Sequence, residues 1–288
     1  MHLPTALTTL LCLAIALPVA AQETRAYGTL SFTRNDANNV WSYDAATVGM
    51  IITHASGLFA HAGGGTVNRH ESGYSSSNTE TYGLGYHDEK YGRVSYSHDY
   101  QETSRTQGGD SFFFICGNRT HRYAADYYAQ SVTFSINHSR SSTVDCYGYN
   151  HINDSTLYIA RWYPSDNLSI EGGVQEEEAT FLTTRSFHVS AKNRWQTGHG
   201  SVELLGTLAQ NRWKISYLSM EPLGSLVQGT KHYRLDMWGI GVSFRPGDNK
   251  SMLSAHRSIF DAAPVFSINH LENSNGYRNS SFSISYSF

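Results

Sequence analysis

A histidine and a serine two residues apart on a β-strand share one face, and such a pair can work as base and nucleophile in acyl hydrolysis. The sequence carries this spacing at His54/Ser56, His188/Ser190, His199/Ser201 and His256/Ser258. With 14 His and abundant Ser, composition alone supplies several such pairs. His54/Ser56 and His199/Ser201 fall in turn-like stretches, and His188/Ser190 lies on a polar strand face rich in charge. His256/Ser258 is the pair that leaves a lipid-modifying enzyme open as a reading. His98 and Asp99 are adjacent and therefore point to opposite faces of a strand, so they do not assemble an acid–base pair. No His-x-His occurs that would place two imidazoles on one strand face for a metal, so neither metal nor cofactor is expected.

The other candidates are charges. Arg93, Asp99, Glu171, Lys192 and Arg194 recur on the polar side of alternating segments, where they would line a wet interior. Lys192 and Arg194 share one strand and would favour anionic solutes there, or pair with Glu171. Arg161 alternates with Tyr158, Ala160 and Trp162, which would face lipid, and so would face inward on the side shared by Leu157 and Ile159. The polar stretch 103–122 carries Arg105, Asp110, Arg119 and Arg122 and is the longest candidate loop.

The elements that hold these residues are strands. Period-2 alternation recurs along the chain, as in Gly28/Leu30/Phe32, Val48/Met50/Ile52, Tyr82/Leu84/Tyr86, Phe187/Val189/Ala191 and Trp238/Ile240/Val242/Phe244. The intervening residues are polar or tiny, as in Arg93/Ser95/Ser97/Asp99. Short turn signals stand at 55–57, 88–90, 164–167, 197–200 and 246–249, with a weaker one at Ser139–Ser142. Longer polar stretches separate them, at 69–78, 103–122, 150–155, 175–184, 218–230 and 262–277. Six short turns give fourteen strands with both termini on the turn side; without the weak turn there are twelve.

A soluble barrel would have to pack these large apolar side chains inside, and its lumen has no room for them. Turned outward into lipid, the pattern leaves a polar lumen and pairs every backbone group, as a bilayer demands. The composition agrees. Aromatics reach 13%, with 19 Tyr, while charged residues are only 16%, against roughly 25% in ordinary soluble domains. A net charge of −3 gives no nucleic-acid signature. Leu10–Leu17 is an apolar run too short to span a bilayer as a helix, followed by Pro18 and the small residues Val19-Ala20-Ala21. That reads as a signal peptide over 1–21, leaving one domain over 22–288. Cys116 and Cys146 are then the two remaining cysteines, and an exported chain with an even pair is expected to form a disulfide.

The final segment alternates strictly and ends on an aromatic, with Phe282, Ile284, Tyr286 and Phe288 on one side. This resembles the C-terminal assembly signal of Gram-negative outer-membrane barrels, and the chain as a whole resembles their porin-like group. The resemblance implies an all-β fold, a transmembrane antiparallel β-barrel of fourteen strands (twelve as the alternative), with short periplasmic turns and longer extracellular loops. It implies a bacterial outer-membrane location among outer-membrane lipid and lipopolysaccharide, delivery by the barrel-assembly machinery, and small hydrophilic solutes as cargo. In position, 103–122 resembles the third loop that constricts many porins, with Cys116 and Cys146 tethering it. Three readings stand: a diffusion channel, a lipid-modifying enzyme at His256 and Ser258, and a barrel plugged by its own loops.

Overall fold

The computed structural model describes residues 24–37, 41–70, 74–106, 113–144, 150–179, 182–220, 226–248, 250–258 and 264–287. They form fourteen antiparallel strands closed into one barrel. From the turn side the chain rises in β1 (Thr24–Ala37) and descends in β2 (Trp41–His54), then repeats in β3 (Leu58–His70) and β4 (Tyr74–Asp88), and β5 (Gly92–Thr106) and β6 (Phe113–Ala129). It continues through β7 (Val132–Val144) and β8 (Asn150–Ser165), β9 (Leu168–Ala179) and β10 (Leu182–Thr197), β11 (Gly200–Met220) and β12 (Leu226–Pro246), and β13 (Val265–Asn273) and β14 (Arg278–Ser287). One short helix, α1 (Met252–Arg257), lies between β12 and β13. No helix among the described residues is long and apolar enough to cross a membrane.

The first strand closes on the last, with Leu30 opposite Tyr286 and Phe32 opposite Ile284. The alternating C-terminal segment is thus the closing staple of the barrel. Phe288 itself lies outside the described residues. Ladder bonds between all neighbours leave no open sheet edge, which is what allows strands to stand in hydrocarbon.

Side chains are distributed inside out. Among the described residues ten buried ones are polar or charged and only four are apolar, while Leu30, Val48, Leu84, Val94, Leu208, Ile240 and Ile268 are exposed on the outer wall. At the turn side β4, β6, β8, β10 and β14 each present an exposed aromatic within three residues of the strand end: Tyr86, Tyr127, Trp162, Trp195 and Tyr286. That is an interfacial girdle, where an amphipathic ring has its apolar body in lipid and its polar tip in water.

The strand count matches the sequence pattern, but several connections do not. Ser139–Ser142 is strand within β7, and the turn there is Gln130-Ser131, with Gln130 at φ 30°. Most of the long polar stretches are strand continuations. β11 and β12 each run 21 residues, about twice what a bilayer needs, so their loop-side halves stand above it. The stretch 262–277 contains β13 and a tight hairpin, and the short turn expected at 246–249 is the start of a long connection instead. Polar composition was the shared cause: above the membrane a strand wets both faces, and its sequence resembles a loop.

Candidate functional site

Two charge clusters project from neighbouring strands into the lumen. In the first, Arg161 on β8 stands directly opposite Glu171 on β9. Arg161 Nε donates to Glu171 Oε2 at 2.7 Å, and Nη2 reaches the same oxygen. His188 on β10 lies 3.0 Å from Glu171 Oε1 through Nε2. This ring lies over Gly173, where a Cβ would meet His188 Cε1 at 2.1 Å; only glycine leaves it that space. In the second cluster Glu203 on β11 gathers three cations. Arg194 donates to it from Nε at 2.8 Å, Lys192 Nζ lies at 3.4 Å and Arg245 Nε at 3.8 Å. Ser243 adds a hydroxyl donor at 3.2 Å. Across the barrel Arg93 on β5 pairs with Asp126 on β6 at 2.7 Å.

The connection after β12 crosses the turn-side mouth. Asp248 meets Arg194 Nη1 at 3.2 Å, and Arg194 Nη1 also donates to the Lys250 carbonyl at 2.7 Å. Ser251 caps α1 by accepting from the Ser254 amide, and the buried Met252 donates its amide to the Asp166 carbonyl in the β8–β9 turn at 2.9 Å. His256 reaches Arg161, its ring nitrogens 2.7 and 3.1 Å from Nη1, and packs between the rings of Tyr163 and Tyr128. Arg257 donates to the Gln130 carbonyl at 2.6 Å, and the Arg257 carbonyl lies 2.7 Å from His87 Nε2 on β4. The segment therefore starts at β12 and reaches β4, six strands round the ring and nearly diametrically opposite. Above it the wall and Met252, Ala255 and His256 enclose a cavity of about 570 Å³. His256, in this connection, has its pKa pushed down from 6.5 to about 4, by burial first and then by the Arg161 charge.

Five cations line this cavity: Arg93, Arg161, Lys192, Arg194 and Arg245. Four carboxylates balance them, Glu171 and Glu203 in the lining and Asp126 and Asp248 as ion-pair partners, which leaves one positive charge in excess.

Arg93, Glu171, Lys192 and Arg194 all face this cavity, and Arg161 faces inward as its phase required. Asp99 shares the inward face of β5 with Ser95 and Ser97 and pairs with Arg122 at 2.8 Å, nearer the loop side. Arg194 differs from expectation in its state: its side chain is 3% exposed and clamped by Glu203 and Asp248. The constriction-loop residues are a correction. Arg105 belongs to β5, and Arg119 and Arg122 belong to β6, so most of 103–122 is barrel wall; Asp110 lies outside the described residues. The segment that narrows the mouth among the described residues is 247–248 and 250–258 instead. Cys116 falls on β6, but its side chain and the whole of Cys146 lie outside the described residues.

The His/Ser pairs resolve individually. His54 Nδ1 lies 2.8 Å from Ser56 Oγ in the exposed β2–β3 turn. His188 turns to Glu171, buried Ser201 donates to Asp248 at 3.4 Å, and His256 turns to Arg161. A contact missed by spacing rules is outward-facing: His98 and His121 stand opposite one another on β5 and β6, Nδ1 to Nδ1 3.5 Å, with Tyr96 Oη 2.8 Å from His121. Spacing along one strand cannot find pairs made across two.

No protein-family model matches the sequence, and no curated protein matches it. Among solved structures the chain is similar to a bacterial polysaccharide outer membrane secretin, at TM-score 0.52 and 10% identity over 91% of this chain and 98% of that one. It is likewise similar to the CymD monoaromatic hydrocarbon channel, at TM-score 0.52 and 9% identity over 92% of this chain and 88% of that one. At such identity the likeness is one of fold, that of a closed antiparallel outer-membrane β-barrel.

Proposed function

We propose that the protein is a bacterial outer-membrane channel that passes small hydrophilic solutes by diffusion, with residues 247–248 and 250–258 forming its narrowest point at the turn-side mouth. The observation that carries this reading is the inside-out barrel: an apolar outer wall around a wide, polar and charged lumen. A barrel of fourteen strands is too wide for its own side chains to fill. Arg93, Asp99, Glu171 and Lys192 line the path, and Arg194 acts as a wall anchor for the crossing segment. The single excess cation in the cavity gives a mild preference for anions.

In the same reading residues 1–21 direct export, the barrel-assembly machinery recognises the strand carrying Phe282, Ile284, Tyr286 and Phe288, and Cys116 pairs with Cys146. A non-reducing gel tests that pairing: Cys116→Ser should change the mobility of the oxidised chain. The crossing segment also favours a second reading, a barrel held shut at rest. Planar-bilayer recording of the folded chain separates the two. Discrete current steps, with a reversal potential displaced toward anions in a salt gradient and moved back by Lys192→Met, support the channel. No steps from folded protein, either as it stands or after Asp248→Asn frees the segment, would overturn it.

A further inference from the structure

On the outer wall of β10, β11 and β12 the register stacks three rows facing outward. Val189, Leu208 and Trp238 make an exposed apolar row. Phe187, Gln210 and Asp236 form the next row toward the loop side. Arg185, Arg212 and Arg234 form the third, each directly opposite the next. Four residues separate this row from Leu208 along β11, roughly 13 Å at 3.3 Å per residue, so it stands where hydrocarbon gives way to headgroups.

Three like charges directly opposite one another on adjacent strands repel, and neighbouring lipid weakens the screening. Elsewhere on this outer wall the sequence avoids that arrangement. Arg34 stands opposite Asp44, Arg140 opposite Asp154, and Arg278 opposite Glu272. In the row on β10–β12 Arg185 has such a partner in Glu176 on β9, while Arg212 and Arg234 are braced along their own strands instead. Glu176 holds Arg185 through Nε at 3.2 Å, Gln210 holds Arg212 through Nε at 2.7 Å, and Asp236 holds Arg234 at 3.1 Å. Phe187 lies under the Arg185 and Arg212 guanidinium groups, 5.3 and 5.6 Å from its centroid. Lys214 adds a fourth cation one row higher, where Glu178 on β9 is also exposed. Four cations thus meet three carboxylates, with the guanidinium forks pre-oriented and the Nη groups of Arg185 and Arg212 given no hydrogen bond among the described residues.

We propose that this row binds the phosphate groups of the glycolipid in the outer leaflet, its acyl chains lying along Leu208, Val189 and Trp238. The proposal rests on the outer-membrane reading but not on conduction. Adjacent guanidinium forks match phosphate oxygens in pairs, and a bound dianion removes the repulsion that the bare row carries.

The test uses the full folded chain in neutral-lipid nanodiscs, with phosphorylated lipid A, dephosphorylated lipid A and inorganic phosphate as probes, binding being read by native mass spectrometry. Phosphorylated lipid A should be retained, and Arg185→Gln/Arg212→Gln/Arg234→Gln should weaken its retention on the order of a hundredfold, about fivefold for each basic side chain at a membrane surface. Arg34→Gln should leave retention unchanged. Arg212→Lys, which keeps the charge and loses the fork, should cost only a few-fold, and it serves if the triple variant does not fold. Equal retention by parent and triple variant overturns the proposal, as does equal retention of the dephosphorylated lipid. Competition by inorganic phosphate as strong as that by lipid A overturns the lipid assignment. Absence of conductance leaves this result unaffected, so the two readings fail separately.

Discussion

Acidifying the turn-side compartment should loosen the crossing segment through His256. The ring lies against Arg161 Nη1 and between Tyr163 and Tyr128. Arg93 reinforces the effect of Arg161 in disfavouring the charged ring, while Asp126 and Glu171 oppose it, and the net pKa falls from 6.5 to about 4. His87, His188 and Arg257 also border the site. A seated ring stays neutral at pH values where a released ring takes up a proton. Above about pH 6.5 both states are neutral and seating carries no penalty. As pH falls from 6.5 toward 4 the penalty grows, and below 4 it is constant. The full gap corresponds to roughly 3 kcal/mol at 1.36 kcal/mol per unit. Partial exposure of the ring reduces this to about 1–2 kcal/mol. The released population should then rise roughly 5- to 30-fold. Single-channel recording with turn-side pH stepped from about 7 to about 4.5 reads this as a rise in open probability or conductance. His256→Gln keeps a polar side chain of similar reach without the titration, and its response should be flat. The same acid response in His256→Gln as in the parent would refute the reasoning.

Three further outcomes follow from packing. Glu203→Gln removes the carboxylate shared by Lys192, Arg194 and Arg245 from a site 3% exposed, and should cost about 3–5 kcal/mol in urea unfolding while strengthening anion selectivity; an unchanged midpoint counts against the shared-carboxylate account. Gly173→Ala drives a Cβ into the His188 ring and should cost about 1–3 kcal/mol, whereas Gly206→Ala, with no atom within 4 Å, should be neutral in the same titration. Leu208→Arg puts a cation on a lipid-facing position 67% exposed and should cost about 2–4 kcal/mol, while Leu205→Arg on the lumen side should cost less; equal losses would contradict the assignment of faces.

The fold was legible because a membrane barrel writes its faces into a period of two. Leu30/Phe32, Val48/Met50 and Trp238/Ile240/Val242 took the outer wall, and the lumen phase of Arg93, Glu171, Lys192 and Arg161 followed from simple alternation. Turns carrying Gly57 and Asp88 were visible for a physical reason: Gly57 sits at φ 92°, and the Asp88 carboxylate accepts from the amides of Lys90 and Tyr91. The Gln130-Ser131 turn has neither Gly nor Asp and so escaped notice. Loop-side strand lengths were hidden as well, because residues such as Arg119 and Thr120 stand above the belt where neither face need be apolar. The partners of the lumen charges were not legible at all. Glu203 and Asp248 are 9 and 54 residues from Arg194 by their numbers, and only barrel closure and the crossing segment bring all three together.

The crossing segment shows why a polar lumen changes what a plug is made of. In an apolar core a six-residue helix would be held by buried side chains, and α1 has only Met252 to offer. It is held instead by Asp248 on Arg194, by His256 on Arg161, and by hydrogen bonds to the Asp166 and Gln130 carbonyls and the His87 ring. Water can replace most of these groups, so each hydrogen bond contributes only about 0.5–1.5 kcal/mol net, while the buried Asp248–Arg194 pair is the strong anchor among them. Losing any one of the hydrogen bonds weakens the segment by a small, graded amount, whereas breaking the buried Asp248–Arg194 pair releases it. Apolar packing would give the opposite behaviour, because exposing a buried face is costly at every pH and salt concentration. The same choice explains why the sequence concealed it: a segment held by polar contacts needs no hydrophobic stripe, and Asp248 to Ser258 reads as an ordinary loop. Raised salt should therefore act on this segment far less than acid does, since the Asp248–Arg194 pair is buried and little screened.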